Sequence, residues 1–184
     1  MRVSGHLAHR NKEINMRFSL GILAILLVAG TALANPLDEK ANGKKSKTAA
    51  GLIHMGNLYL EADRTADARR SFKAAAIKLA DKSDAQLGLA LIRVKESNIH
   101  NSKVACRKLK QFFPKSTASN LCYGAMWIKF GRSARAIEEF KPIAQSSDNP
   151  RAKIGLARTY ALMNEHNKAE QSYNEAIAAG ASYE

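Results

Sequence analysis

The chain has 184 residues, 46% of them hydrophobic and 24% charged, and a formal net charge of +13. That apolar content excludes a disordered chain, the single long uncharged stretch excludes a multi-span membrane protein, and two cysteines exclude both a disulfide-dense scaffold and a four-cysteine zinc site. Aromatics at 7% among abundant alanines favour close-packed helices over sheets.

In chain order, the first segment reads as an address. Residues 20–30 run LGILAILLVAG without a charge, behind Arg17 and ahead of an A-x-A pattern at Ala32-Leu33-Ala34. A positive region, an apolar region and a small-residue cleavage site in that order predict a signal peptide over 1–34. Met16 is the alternative start, since MRFSLGILAILL reads as a complete short signal. An uncleaved anchor is the rival reading. As a helix, residues 20–34 would span about 22 Å, short of a ~30 Å hydrocarbon core. The expected product is an exported chain beginning at Asn35, in the periplasm or cell envelope or secreted, with no stable membrane span. Residues 1–34 hold Arg2, Arg10, Lys12 and Arg17 against Glu13, which leaves the remainder at +10. In the cytosol that charge would raise nucleic acid first. Outside it, polysaccharide, phospholipid headgroups and acidic protein segments are the expected anions, and no nucleic acid is expected. Residues 35–47, NPLDEKANGKKSK, carry four lysines and little apolar, and predict a mobile basic arm.

Beyond the arm the chain repeats itself. Gly56, Ala90, Gly124 and Ala157 recur with near-constant spacing, as do Tyr59, Arg93, Trp127 and Tyr160. Ala68, Ser102, Ala136 and Ala169 follow suit, and then Phe72, Cys106, Phe140 and Tyr173. Apolar residues at three-and-four spacing predict helices over 48–62, 66–80, 84–96, 99–112, 117–130, 133–146, 150–163 and 166–179, and no strand. Thr65, Ser83 and Ser116 are the expected N-caps, and Asn149-Pro150 reads as a cap followed by Pro at the first helical position. Gly180 is placed to end the last helix in a left-handed turn.

In these residues the chain resembles the tetratricopeptide repeat (TPR), with repeats at about 49–82, 83–116, 117–149 and 150–182 of a domain spanning 48–182. Met55-Gly56, Tyr59, Ala68, Phe72 and Ala75 carry the match in the first repeat, and Tyr123-Gly124, Trp127, Ala136 and Phe140 in the third. Leu156-Ala157, Tyr160, Ala169, Tyr173 and Ala176 carry it in the fourth, while the second departs most, with Arg93, Ser102 and Cys106 at signature positions. The resemblance implies an all-α, right-handed superhelical solenoid whose first helices line a concave face. It also implies a protein-binding scaffold without a cofactor.

The family's contact positions fall on Ile53, Asn57 and Leu60, on Leu87, Leu91 and Val94, on Leu121, Ala125 and Ile128, and on Ile154, Arg158 and Ala161. That groove is mostly aliphatic. It lacks the basic clamp that would hold an acidic C-terminal tail, and it suits an amphipathic helix or an extended apolar peptide. The competing reading is that these residues pack against neighbouring first helices of a tightly wound stack. On the convex side Lys103, Arg107 and Lys110 share one helical face, with Lys108 beside them, and could dock an anionic surface; a merely solvated basic face is the alternative. Few residues follow the fourth repeat, so its apolar face invites self-association or a partner. Cys106 is expected in the inter-helix core and Cys122 towards the groove, which predicts two buried free thiols, although an exported compartment permits a bridge.

No nucleophile elbow, Walker loop, H-E-x-x-H or C-x-x-C occurs, the histidines His54, His100 and His166 lack metal-ligand spacing, and Glu138-Glu139 point in different directions. The sequence thus predicts no enzyme and no metal site. It predicts an exported scaffold or adaptor in assembly of an envelope or secretion machine, with anionic glycan or lipid binding through the second repeat as the alternative.

Overall fold

The computed structural model describes residues 48–181. The expected signal peptide, the Met16 start and the basic arm lie outside the described residues. Contacts divide the chain into two units after Ser46, and the described residues all belong to the second. Its helices are α1 Ala49–Glu61, α2 Thr65–Lys78, α3 Ser83–Glu96, α4 Ile99–Phe112, α5 Ala118–Lys129, α6 Ser133–Ser146, α7 Pro150–Leu162 and α8 His166–Ala178, with no strand among the described residues. Each expected helix is present, its ends within about two residues of the sequence reading. The first helix of each pair packs on its second helix, the second packs on the next first helix, and successive first helices touch: α1 on α3, α3 on α5, α5 on α7. The architecture is an α-solenoid of four helix pairs.

The junctions between pairs explain the spacing of small residues and rings. Phe72 of α2 is fully buried between Gly56 of α1 and Gly88 of α3. A Cβ at Gly56 would lie 2.6 Å from the ring, and one at Gly88 closer still, so only glycine admits the phenyl group between the two backbones. Phe140 of α6 repeats the arrangement between Gly124 and Gly155, where a Cβ would stand 2.7 Å away at the latter. The middle junction departs from this. Cys106 takes the place of the ring, Cys122 the place of Gly88 and Gly155, and Ala90 the place of Gly56 and Gly124. The two cysteines are bonded to each other, with Cα atoms 5.4 Å apart. The expectation of free thiols is therefore corrected, and so is the placing of Cys122 towards the groove. Both are fully buried, because Cys122 faces back onto α4, where the other junctions place a glycine against a ring.

The turns follow a common rule in three of the pairs. Asp63, Gly131 and Asn164 take positive φ of 63°, 68° and 60°. The next residues, Arg64, Arg132 and Glu165, donate their N–H back to the carbonyls of Tyr59, Trp127 and Tyr160 at 2.8, 2.8 and 2.9 Å. Asp, Gly and Asn tolerate that left-handed conformation best. The second pair instead turns through extended Ser97, and Asn98 caps α4 by accepting from Asn101 N–H. Thr65 and Ser83 are not caps: each is the first helical residue, and the Ser83 N–H is taken by Asp81 at 2.8 Å, which holds that carboxyl below its ordinary range. Nor is Ser116 the cap of α5, which is Thr117; Ser116 stands one residue further back and accepts from Ala118 N–H at 3.1 Å. Asn149 accepts from Arg151 and Ala152 ahead of Pro150, as expected, and Gly180 has φ of 87°. Asn149→Ala is expected to lower the unfolding free energy by about 1 kcal/mol, read from a urea titration.

Two lysines at equivalent repeat positions tie successive first helices together at their C-terminal ends. Lys95 donates to Leu60 C=O at 2.9 Å and pairs with Asp63 at 2.7 Å. Lys129 donates to Val94, Lys95 and Ser97 C=O at 2.6, 2.7 and 2.8 Å. A cation on the unpaired carbonyls of a helix end is favourable by charge and by hydrogen bonding.

Candidate functional site

The concave face is built by α1, α3, α5 and α7. Of the residues placed there by the sequence, Ile53, Asn57, Leu60, Leu91, Ala125, Ile128 and Ile154 are half-buried. Arg158 and Ala161 are exposed, whereas Leu87, Val94 and Leu121 are buried among neighbouring first helices. The face is thus a shallower aliphatic floor than the repeat positions suggest. Two ion pairs between non-adjacent repeats span it: Arg151 to Asp84 at 2.9 Å, and Arg158 to Glu61 at 3.3 Å. An α-helix with side chains is roughly 10 Å across, so these pairs must part to admit one, while an extended segment needs less room. Arg158 and Glu61 are both more than half exposed, so their attraction is screened by water. Arg158→Ala is expected to change stability by no more than about 1 kcal/mol in thermal melts.

The basic residues of α4 fall on two edges. Lys103 is half-buried, while Arg107, Lys108 and Lys110 are exposed. The Lys103 ammonium lies 5.5 Å from the ring centroid of Trp127 in α5. The Arg135 guanidinium of α6 lies 5.0 Å from that centroid, and the Arg132 guanidinium of the α5–α6 turn 6.0 Å. Trp127 itself is only 7% exposed. The Asn120 amide donates to the neighbouring Glu139 carboxylate at 2.9 Å. Burial pushes that carboxyl above its ordinary range, helped by the charge of Glu138, while Asn120, Lys110 and the Trp127 indole pull the other way. Sequence reasoning saw only the α4 half of this cluster. Arg132 and Arg135 belong to the next repeat, and their nearness to Lys103 follows from how α4 packs on α5.

At the far end Leu162, Met163, Tyr173 and Ile177 are all exposed beyond a third of their surface, although Ala176 of the same helix is fully buried. Among the described residues no group of three metal-ligating side chains occurs, His54, His100 and His166 are exposed, and no helix is long and apolar enough to cross a membrane.

No protein-family model matches the chain, and neither does any curated protein. Several solved structures have a similar fold. The crystal structure of MamA is 16% identical, with 76% of this chain and 81% of that one covered and a TM-score of 0.44. YrrB, described as a TPR protein with an unusual peptide-binding site, is 18% identical over 89% of this chain and 84% of its own, with a TM-score of 0.45. A tetratricopeptide repeat protein from Parabacteroides merdae is 15% identical over 91% and 65%, with a TM-score of 0.43. The packing on its own is that of an α-solenoid of helix pairs.

Proposed function

We propose that the chain is a scaffold for protein–protein interaction in the cell envelope, exported by residues 1–34. The observation that carries the reading is the concave face, where an aliphatic floor of half-buried Ile53, Leu60, Leu91, Ile128 and Ile154 is crossed by ion pairs that a ligand can replace. Because those pairs narrow the face, an extended apolar segment is the favoured occupant, ahead of an amphipathic helix. The exposed apolar side chains of Tyr173 and Ile177 are a second place for a partner or another copy. Export rests on the order of charged, apolar and small residues before Asn35. N-terminal sequencing of the protein recovered from its own cells should begin at Asn35; a chain retaining residues 1–34 in the cytoplasm would remove the envelope from this reading.

The test is cross-linking of the full-length chain in its own cells, with Leu91→Asp and Arg158→Glu as controls. Leu91 lies on the floor and Arg158 on the rim, and Arg158→Glu leaves the core intact. A protein captured by the wild type and lost in both variants supports a groove-dependent adaptor. Capture indifferent to both overturns it.

A second reading, binding to anionic glycan or lipid surfaces, is favoured by one observation on α4: Phe112 is 72% exposed, one helical turn from Lys108. An aromatic ring beside cations is the composition that enters a headgroup region. Phe112→Ser should then weaken sedimentation with phosphatidylglycerol vesicles, and vesicle binding that ignores this change would remove the reading.

A further inference from the structure

The cations around Trp127 lie on the other edge of α4. Nine residues separate Lys103 from Phe112, which at 3.6 residues per turn places them half a turn apart. From three separate elements, Lys103, Arg132 and Arg135 converge on one indole within 6.0 Å of its centroid. Their charged groups therefore sit within about 12 Å of one another, about one and a half screening lengths at physiological salt. Among the described residues no carboxylate lies within 4 Å of any of the three, whereas most arginines elsewhere in the stack have an acidic partner. The face of the indole offsets part of their mutual repulsion. Glu139 is engaged by Asn120, and burial pushes its carboxyl above its ordinary range. Arg107 and Lys110 extend the positive edge along α4 by helical spacing of three and four.

We infer that this edge, between the second and third repeats, is a docking site for an acidic peptide segment of a partner protein. Three observations select that ligand. The Trp127 ring is buried and already covered by cations, so it offers no stacking platform for a sugar. The large exposed apolar side chains, Phe112 among them, lie off this edge, so nothing here enters a lipid layer. Two guanidinium forks and an ammonium, held by α4, α6 and the turn that precedes α6, match carboxylates spaced along a chain, because each fork takes a carboxylate through two parallel hydrogen bonds. The site is separate from the concave face and stands whether or not that face is used.

Trp127 is the single tryptophan of the chain, so its emission reports on the cluster without a label. The full chain is titrated with hexaglutamate, with hexaglutamine as the neutral control. Hexaglutamate is expected to change the emission saturably, with an affinity that falls steeply between low and high salt as counterions are released. Hexaglutamine is expected to do nothing. The double substitution R132Q/R135Q should weaken hexaglutamate binding about tenfold or more in calorimetry, with helicity and melting checked alongside. Should that variant fail to fold, the emission titration of the wild type still decides. Absence of any emission change, hexaglutamate affinity untouched by R132Q/R135Q, or phosphatidylglycerol vesicles quenching Trp127 where hexaglutamate does not would each overturn the proposal.

Discussion

Phe72→Ala is expected to lower the unfolding free energy by about 3–5 kcal/mol, the upper range for a buried aromatic. The ring is fully buried and stands between two glycines. Neither wall therefore has a side chain that could lean into the vacated space, and the cavity persists unless α1 and α3 themselves move. The reciprocal change probes the same contact from the other side. Gly88→Ala would set a Cβ well inside van der Waals contact with the ring, and overpacking of this kind costs about 1–3 kcal/mol. Tyr173→Ala supplies the control, since Tyr173 holds the same repeat position but is 40% exposed. It should cost clearly less than Phe72→Ala in the same urea titration. Equal losses at the two positions would show that the ring is not the element that joins one helix pair to the next.

The second large effect belongs to the middle junction. Removing the Cys106–Cys122 bridge, by reduction or by C106S/C122S, is expected to cost about 3 kcal/mol, from the loop it closes in the unfolded chain; the separation is 16 residues. The equivalence of the three junctions makes a sharper prediction. A90G/C106F/C122G would rebuild at the centre of the stack the ring-between-glycines contact seen at Phe72 and Phe140. This triple variant should melt several degrees above C106A/C122A. A triple variant no more stable than the alanine pair would mean that the spacing of α3, α4 and α5 differs from that of the other junctions.

Helix positions and repeat phase were legible because they are encoded locally, in three-and-four spacing and in small residues alternating with rings. The bridge was legible only in part. Its register was present, since Cys122 follows Cys106 by the same interval as Gly88 follows Phe72, but the groove rule directed Cys122 the wrong way. The N-caps at Thr65 and Ser83 were misplaced because the turns before them are governed by a left-handed backbone at Asp63 and by the Asp81 carboxylate, neither of which helical periodicity reveals. On the candidate surface, repeat position identified the inner helices but not how tightly they wind. Tight winding draws Leu87, Val94 and Leu121 into the core and brings Arg151 and Arg158 onto acids two and three repeats away. The Trp127 cluster joins residues of two repeats, so no single-repeat pattern could assemble it.

The lysines that fasten the first helices give the stack a direction. Lys95 holds the end of α1 and Lys129 the end of α3, but the same position in the fourth repeat is Leu162, which cannot donate to the end of α5. The ladder of ammonium rivets therefore stops one rung short. In a nearest-neighbour array, a missing coupling sets where opening begins. Heated or pulled, the molecule should peel from its last helix pair while the riveted first three remain closed. In hydrogen exchange, the amides of α7 and α8 would then exchange ahead of those of α3 and α5.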